Sequence, residues 1–479
     1  MEGITKSSPN LLLDAPPELL SSILLLANDR DVNATLTVSQ VSQQLRHTVI
    51  HLPLLWTTID INFPMERNAI YMERSADVLA LDIHTSLLPW PMTVEEGVDR
   101  IQQFQSLVEP EAHRIRDLHM NFVDWRWLHA AMPILASIGN RKLRLLDIGL
   151  LNDYDKIQVP RWSCGIAVSC QPQTLRLRGA PAWDAEDGFW EKVENLYVDS
   201  QFSQSASSDP IAAQIERLGL MQGVVRSIEF SDLHFSGLAG VVGNLLVLTA
   251  LTHLKLCRVN GLGLNALWRQ ILTPQLESLT MVYNAEPWDE TSNHECIGDA
   301  SFILGIVQAN PQLSSLDLTN FQLEPTQWHQ ILGDSGNLSR LRIAGSSLEY
   351  NSLAPLTERH WDIATTDPIN VRYYCPLLTH LALENDVSLQ SNVVWDIVSS
   401  RNGAEHPGRT KLRSVIIRGV DVDNVRDGDV RKICDAVGHF VLETYDVYQS
   451  GSEEAIDDDD SEYFSELEVS GDEWYKHVD

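Results

Sequence analysis

Apolar residues in this chain return again and again in one short pattern, L-x-x-L-x-L. Clear copies start at Val193, Val225, Leu251, Leu276, Leu313, Leu338, Leu378 and Leu412. Weaker copies start at Val78, Ile115 and Leu143, with a short P-Q-T-L-R-L at Pro172. Starts lie about 25 to 40 residues apart, the period of helix-containing repeats. Alternate residues of a strand point to opposite faces. The last two apolar positions of each copy therefore face inward, and the residues between them face out. Helix-like stretches at 263–272, 300–307 and 327–332 supply return segments, and Pro274, Pro311 and Pro376 end them just before the next strand. One such unit cannot bury its own apolar edge, so stacking of units is obligatory. The pattern predicts an α/β fold: an irregular solenoid of strands and return helices over 61–449.

The N-terminal segment follows another period. Asp14 is placed to cap a helix, Pro16 and Pro17 suit its first turn, and Glu18 complements the helix dipole. Leu19, Leu20, Ile23, Leu24 and Ala27 form one wide stripe, and Leu25 and Leu26 leave little polar face. A second helix is expected from Ala34 to Ile50, with Val38, Val41, Leu45 and Val49 as its stripe. Pro53 ends it and Trp56 is placed to cover the end. This all-α hairpin occupies 11–60, after a flexible N-terminus at 1–10. It is too small to fold well alone and too apolar to stand bare.

Charge narrows the partners. The 479 residues carry a formal net charge of −31, which opposes nonspecific nucleic-acid binding and attachment to an acidic membrane surface. The stretch from Leu233 to Leu254 lacks acidic and basic residues, but Gly237, Gly240, Gly243, Asn244 and two histidines argue for a buried helix and strand rather than a membrane span. From about Ser450 the composition turns acidic, and 450–479 is expected to be a disordered tail. The plain expectation is a solubilising tail; Ser465 and Ser470 within it precede acidic residues and would also suit an acid-directed kinase.

Chemical motifs are sparse. Cysteines at 164, 170, 257, 296, 375 and 434 form no C-x-x-C pair and lack histidines at zinc spacing. Gly261-Leu-Gly263-Leu-Asn-Ala266 has the glycine spacing of a dinucleotide fingerprint, but the repeat already accounts for its strand and helix, and the next strand ends without an acidic residue for a ribose. His294-Glu295-Cys296 begins like a zincin helix without the second histidine. No metal, cofactor or catalytic residue is therefore expected. The outward strand positions include Asp117, His119, Tyr197, Asp199, Glu229, His253, Lys255, Asp317, Arg340, Arg342, Glu384 and Arg418, most expected to be solvated. Arg340 and Arg342 beside Asp317 are the one cluster that suggests a protein partner.

The hairpin resembles an F-box of the fungal (basidiomycete-type) group, whose pattern reads L-P-x-E-L-L-x-x-I, then V-C-x-x-W-R, then T-P-x-L-W. Pro16, Glu18, Leu19, Leu20 and Ile23 fit the first part, Val41 and Arg46 the second, and Pro53, Leu55 and Trp56 the third. Ala15 stands where the family has Leu, Ser42 where it often has Cys, and Leu45 where it usually has Trp. The repeats are similar to the leucine-rich-repeat solenoid of ribonuclease inhibitors, without most of the Asn or Cys that follows the strand in regular repeats. The resemblance implies a non-catalytic substrate receptor of an SCF-type cullin–RING ubiquitin ligase, cytoplasmic or nuclear. Pro16, Leu19, Leu20, Ile23, Leu24, Val41 and Leu45 would dock or shape the F-box against a Skp-type adaptor. Arg340, Arg342 and Asp317 would be client-binding. The alternative is a non-ligase scaffold in which the hairpin only caps the solenoid.

Overall fold

The computed structural model describes residues 15–30, 34–75, 79–85, 92–139, 141–150, 170–179, 187–199, 218–231, 245–258, 271–283, 300–346, 348, 350–357, 359–361, 371–386, 388–403 and 409–445. Its frame is a single parallel sheet of fourteen strands. These are β1 (Thr58–Asp60), β2 (Leu81–His84), β3 (Ile115–Phe122), β4 (Lys142–Leu150), β5 (Gln171–Arg178), β6 (Asn195–Asp199) and β7 (Ser227–Ser231). They continue as β8 (His253–Cys257), β9 (Ser278–Val282), β10 (Ser315–Thr319), β11 (Arg340–Ala344), β12 (His380–Glu384), β13 (Ser414–Asp421) and β14 (His439–Tyr445). Order across the sheet equals order along the chain. Parallel neighbours need a crossover between them, so the chain advances by one strand per coil, an arrangement compatible with a solenoid.

Every expected strand is present. Two more extend the sheet beyond the expected set: β1 directly after the hairpin, and β14 at the far edge. In-register apolar residues hold the stack together. Leu254, Leu279, Leu316, Leu341 and Leu381 are successive register partners, and all are buried. Burying each leucine contributes about 1.5–3 kcal/mol.

The return segments pack on the apolar side. The longer helices that follow the hairpin are Met65–Arg74, Val94–Val108, Trp125–Ile138, Ala300–Ala309, Pro325–Asp334, Ser391–Asn402 and Asp427–Ala436. In Pro325–Asp334, proline occupies the first turn and Trp328, Ile331 and Leu332 are buried, a spacing of three and one that marks a single face. Thr93 and Glu96 close a capping box at the start of Val94–Val108. The expected helix at 263–272 is corrected at its end. Ile271–Leu272 is extended and pairs with Leu246–Val247, and 259–270 lies outside the described residues.

Left-handed residues turn the chain out of its strands. Gly179, Arg258, Asn320, Gly345 and Asn385 each follow a strand's last residue directly and have positive φ. The irregular repeat thus keeps a conformational rule at a position where its residue type varies.

The hairpin comprises α1 (Pro17–Arg30), α2 (Ala34–Val41) and α3 (Gln43–Ile50). The second helix, expected to be continuous, is broken at Ser42. The Ser42 side chain accepts a hydrogen bond from the Leu45 backbone N–H and caps α3. Serine competes for backbone groups in this way and favours caps over helix interiors. Trp56 covers the end of α3 as expected. It is fully buried, and its indole N–H donates to the Val49 carbonyl at 2.9 Å. It also packs edge-on against Tyr71, which joins the hairpin to the first return helix. Residues 1–14 and 446–479, including the Asp14 cap and the acidic tail, lie outside the described residues. Among the described residues, no helix is long and apolar enough to cross a membrane.

Candidate functional site

Two surfaces bring the expected residues together, one on the hairpin and one on the polar face of the sheet. On α1 the broad apolar stripe divides in two. Leu20 and Leu24, one turn apart, point into the core, and Leu20 is only 2% exposed. Leu19, Ile23 and Leu26, at spacings of four and three, form the adjoining face and are exposed, Leu19 to 53%. Pro16 is exposed beside them. On the second half of the hairpin, Leu45 and Val49 are buried. Val41 was expected on their stripe but is 69% exposed, because the break at Ser42 takes α2 out of phase with α3. Of the seven residues expected at an adaptor interface, Pro16, Leu19, Ile23 and Val41 are therefore on the surface. Leu20, Leu24 and Leu45 build the hairpin's interior.

The polar sheet face is an ionic ladder, and most of its outward residues keep contact with solvent as expected, with two exceptions. Asp117 and Glu384 are buried. Asp117 pairs with Arg144 across the β3–β4 step. Arg342 bridges two coils, 3.0 Å from Asp317 on one side and 2.6 Å from Glu384 on the other. Its guanidinium also donates to the Thr319 hydroxyl at 3.2 Å. Arg418 lies 3.8 Å from Glu384 and 3.3 Å from Glu443, and Lys255 lies 3.0 Å from Glu229. Burial pushes the Asp317 carboxyl up, and Arg342 opposes that rise. The expected client cluster therefore separates. Arg342 and Asp317 are spent on each other and on Glu384, whereas Arg340 makes no ion pair among the described residues.

At the other end of the sheet, His84 and His119 stack with ring centroids 4.4 Å apart. His119 Nδ1 lies 3.2 Å from the buried Asp147 carboxylate, which also faces Arg178 at 3.5 Å. Burial holds His84 below the usual histidine range, and neighbouring His119 adds to this. Burial works to raise Asp147, but His119 and Arg178 outweigh it and hold its carboxyl low. Asp82 sits beside Asp117, and burial followed by that carboxylate pushes Asp82 up. Residues 82, 84 and 147 were not singled out from the sequence. Their signal was present: each occupies an alternate polar position next to an inward-facing apolar residue.

Among the described residues, no three His, Cys, Asp or Glu side chains are grouped to hold a metal ion. Burial raises the thiols of Cys170 and Cys375 to about 12. The glycine motif at 261–266 and His294-Glu295-Cys296 lie outside the described residues. No protein-family model matches the chain, and no curated protein matches it.

Proposed function

We propose that this chain is a substrate-recognition subunit of an SCF-type cullin–RING ubiquitin ligase. In this reading the hairpin is an F-box that docks on a Skp-type adaptor, and the leucine-rich-repeat sheet holds a protein client. The receptor has no catalytic residues of its own. It raises the effective concentration of client lysines near a conjugating enzyme. The observation that carries the reading is the bare apolar face of Leu19, Ile23 and Leu26 on α1, with Val41 of α2 also exposed, backed by the buried Leu20, Leu24 and Leu45. A helix that only capped the sheet would have no use for an outward apolar face of this kind.

The second reading, a scaffold capped by the hairpin, draws on the same packing. Leu20, Leu24, Leu45 and Trp56 belong to the core that continues into the sheet. Co-purification with a Skp-type adaptor separates the two. The intact chain should retain the adaptor, and Leu19→Asp with Val41→Asp should lose it while melting at an unchanged temperature. Failure of the intact chain to bind any Skp-type adaptor would leave the scaffold and remove the ubiquitin assignment.

A further inference from the structure

The N-terminal ends of the last strands carry a row of side chains with no carboxylate in it. Strand register sets Ser315, Arg340, His380, Ser414 and His439 side by side. At a strand spacing of about 4.8 Å, Arg340 to His439 spans roughly 14 Å. Arg413 directly precedes Ser414, and its backbone N–H donates to the Thr379 carbonyl at 2.8 Å; with Arg340 it is a cation that acts on His380. Neither Arg340 nor Arg413 has an acidic partner among the described residues. Two residues further along the strands the charges are balanced, since Glu384 and its neighbours hold Arg342 and Arg418. The row is therefore a local basic strip in a chain of net charge −31. Its imidazoles are oriented by hydroxyls: His380 Nδ1 by Thr379 at 2.8 Å, and His439 Nδ1 by Ser414 at 3.0 Å. That leaves Nε2 of each ring for a ligand.

A segment of complementary charge lies in the same chain. Residues 453–462 read E-E-A-I-D-D-D-D-S-E, seven carboxylates in ten positions. They follow β14, the strand that carries His439. From Tyr445 back to His439 is about 20 Å along the strand, and the eight residues from 445 to 453 span up to about 26 Å. The connection is thus long enough for the run to reach the row from the β14 edge, and the remaining length of the run exceeds the distance across His380 to Arg340. We propose that the acidic run 453–462 docks in cis across Arg340, His380, Arg413 and His439, and that it holds this strip against other acidic peptides. Single exposed ion pairs are weak, so occupancy rests on several pairs together and on the high effective concentration of a tethered segment.

The test uses the full chain and a fluorescent peptide of sequence 453–462. One form is native, and the other carries Asp457→Asn, Asp458→Asn, Asp459→Asn and Asp460→Asn. The neutralised form should bind the peptide about ten-fold or more tightly than the native chain, because its own run no longer competes. Adding Arg340→Gln and Arg413→Gln to the neutralised form should abolish that gain. The Arg340→Lys and Arg413→Lys pair should retain it, with circular dichroism showing all forms folded. Equal peptide affinity for native and neutralised chains would overturn docking in cis. Binding unchanged by the two glutamines would overturn the assignment to this row. Neither readout involves the adaptor, so the proposal stands or falls apart from the ligase reading.

Discussion

The side chain of Asn320 stands where a side chain on Gly345 would have to go: a Cβ built on Gly345 meets Asn320 Oδ1 at 2.2 Å. Asn320 belongs to one coil and Gly345 to the next, and both have positive φ. The same relation recurs between Asn385 and Gly419, and between Asn121 and Gly149. A polar side chain of one coil thus rests on a glycine of its neighbour at or near the C-terminal ends of the strands. Gly345→Ala should destabilise the chain by about 1–3 kcal/mol through strain and collision. Gly305, in an exposed turn of the Ala300–Ala309 helix with open space around it, is the counterpart. Gly305→Ala should stabilise by about 0.5–1 kcal/mol. Urea denaturation of both variants checks the pair, and similar losses in both would count against the stacking account.

Leu19 and Leu20 are neighbours in sequence with opposite fates. Leu20→Ala removes a buried side chain and should cost about 2–5 kcal/mol. Leu19→Ala should stay within about 0.5 kcal/mol of the parent. Denaturation midpoints in the absence of any adaptor test this, and a large loss at Leu19 would mean that its face is covered within the chain.

The coil architecture was legible in the sequence because its determinants are local and repeated. An anchor residue followed by an inward apolar pair marks a strand, at three strands with a proline two residues before the anchor, and Leu313, Leu316 and Leu318 are buried as their spacing requires. The edges were harder to read. β1 has only three residues and one buried apolar side chain, Ile59. β14 offers Val437, Phe440 and Leu442 at the repeat spacing but without a leucine anchor. The break at Ser42 was hidden because a capping serine and a mid-helix serine look alike until tertiary packing chooses. Ion pairing on the polar face was not legible at all. Arg342 and Glu384 lie 42 residues apart, and only the register of successive coils decides which acid an arginine meets.

That register makes Arg342 the keystone of its ladder. Removing it leaves Asp317 and the buried Glu384 without their shared cation. Arg342→Leu should destabilise by about 3–5 kcal/mol at neutral pH, mostly from the uncompensated carboxylates. Glu384→Gln added to Arg342→Leu should restore part of that loss, because one buried charge is gone. The loss should also shrink toward acid, as the orphaned Asp317 carboxyl, which burial already pushes up, takes up a proton. Stability curves for the three forms at two pH values check this, and strictly additive effects would count against a coupled network.

Protonation should loosen the other end of the sheet. His84 has a folded pKa below its unfolded value of 6.5, from burial and then from the charge of neighbouring His119, against the opposing pull of Asp60, Asp117 and Asp147. The unfolded chain therefore binds the extra proton more readily. The contribution of His84 to stability is complete above pH 6.5 and is lost as pH falls toward the lower folded value. His84→Asn, which does not titrate, should flatten the stability curve just below pH 6.5. An unchanged slope would place the pH dependence elsewhere.

Thiol reactivity should follow burial rather than position in the sequence. Cys375 is enclosed, with its sulfur 3.4 Å from the Leu332 carbonyl, while Arg401 donates to the Cys375 carbonyl at 2.5 Å. Burial pushes both Cys375 and Cys170 to about 12, so neither offers thiolate near neutrality, whereas Cys434 is exposed. The thiolate is the reactive form. Brief iodoacetamide treatment of the native chain, read peptide by peptide in a mass spectrometer, should label Cys434 and leave Cys170 and Cys375 intact. Urea should open all three together if the coils unfold as one unit. Labelling of Cys170 before Cys375 at intermediate urea would instead show that the early coils open first, as the nearest-neighbour energetics of a stacked array allow.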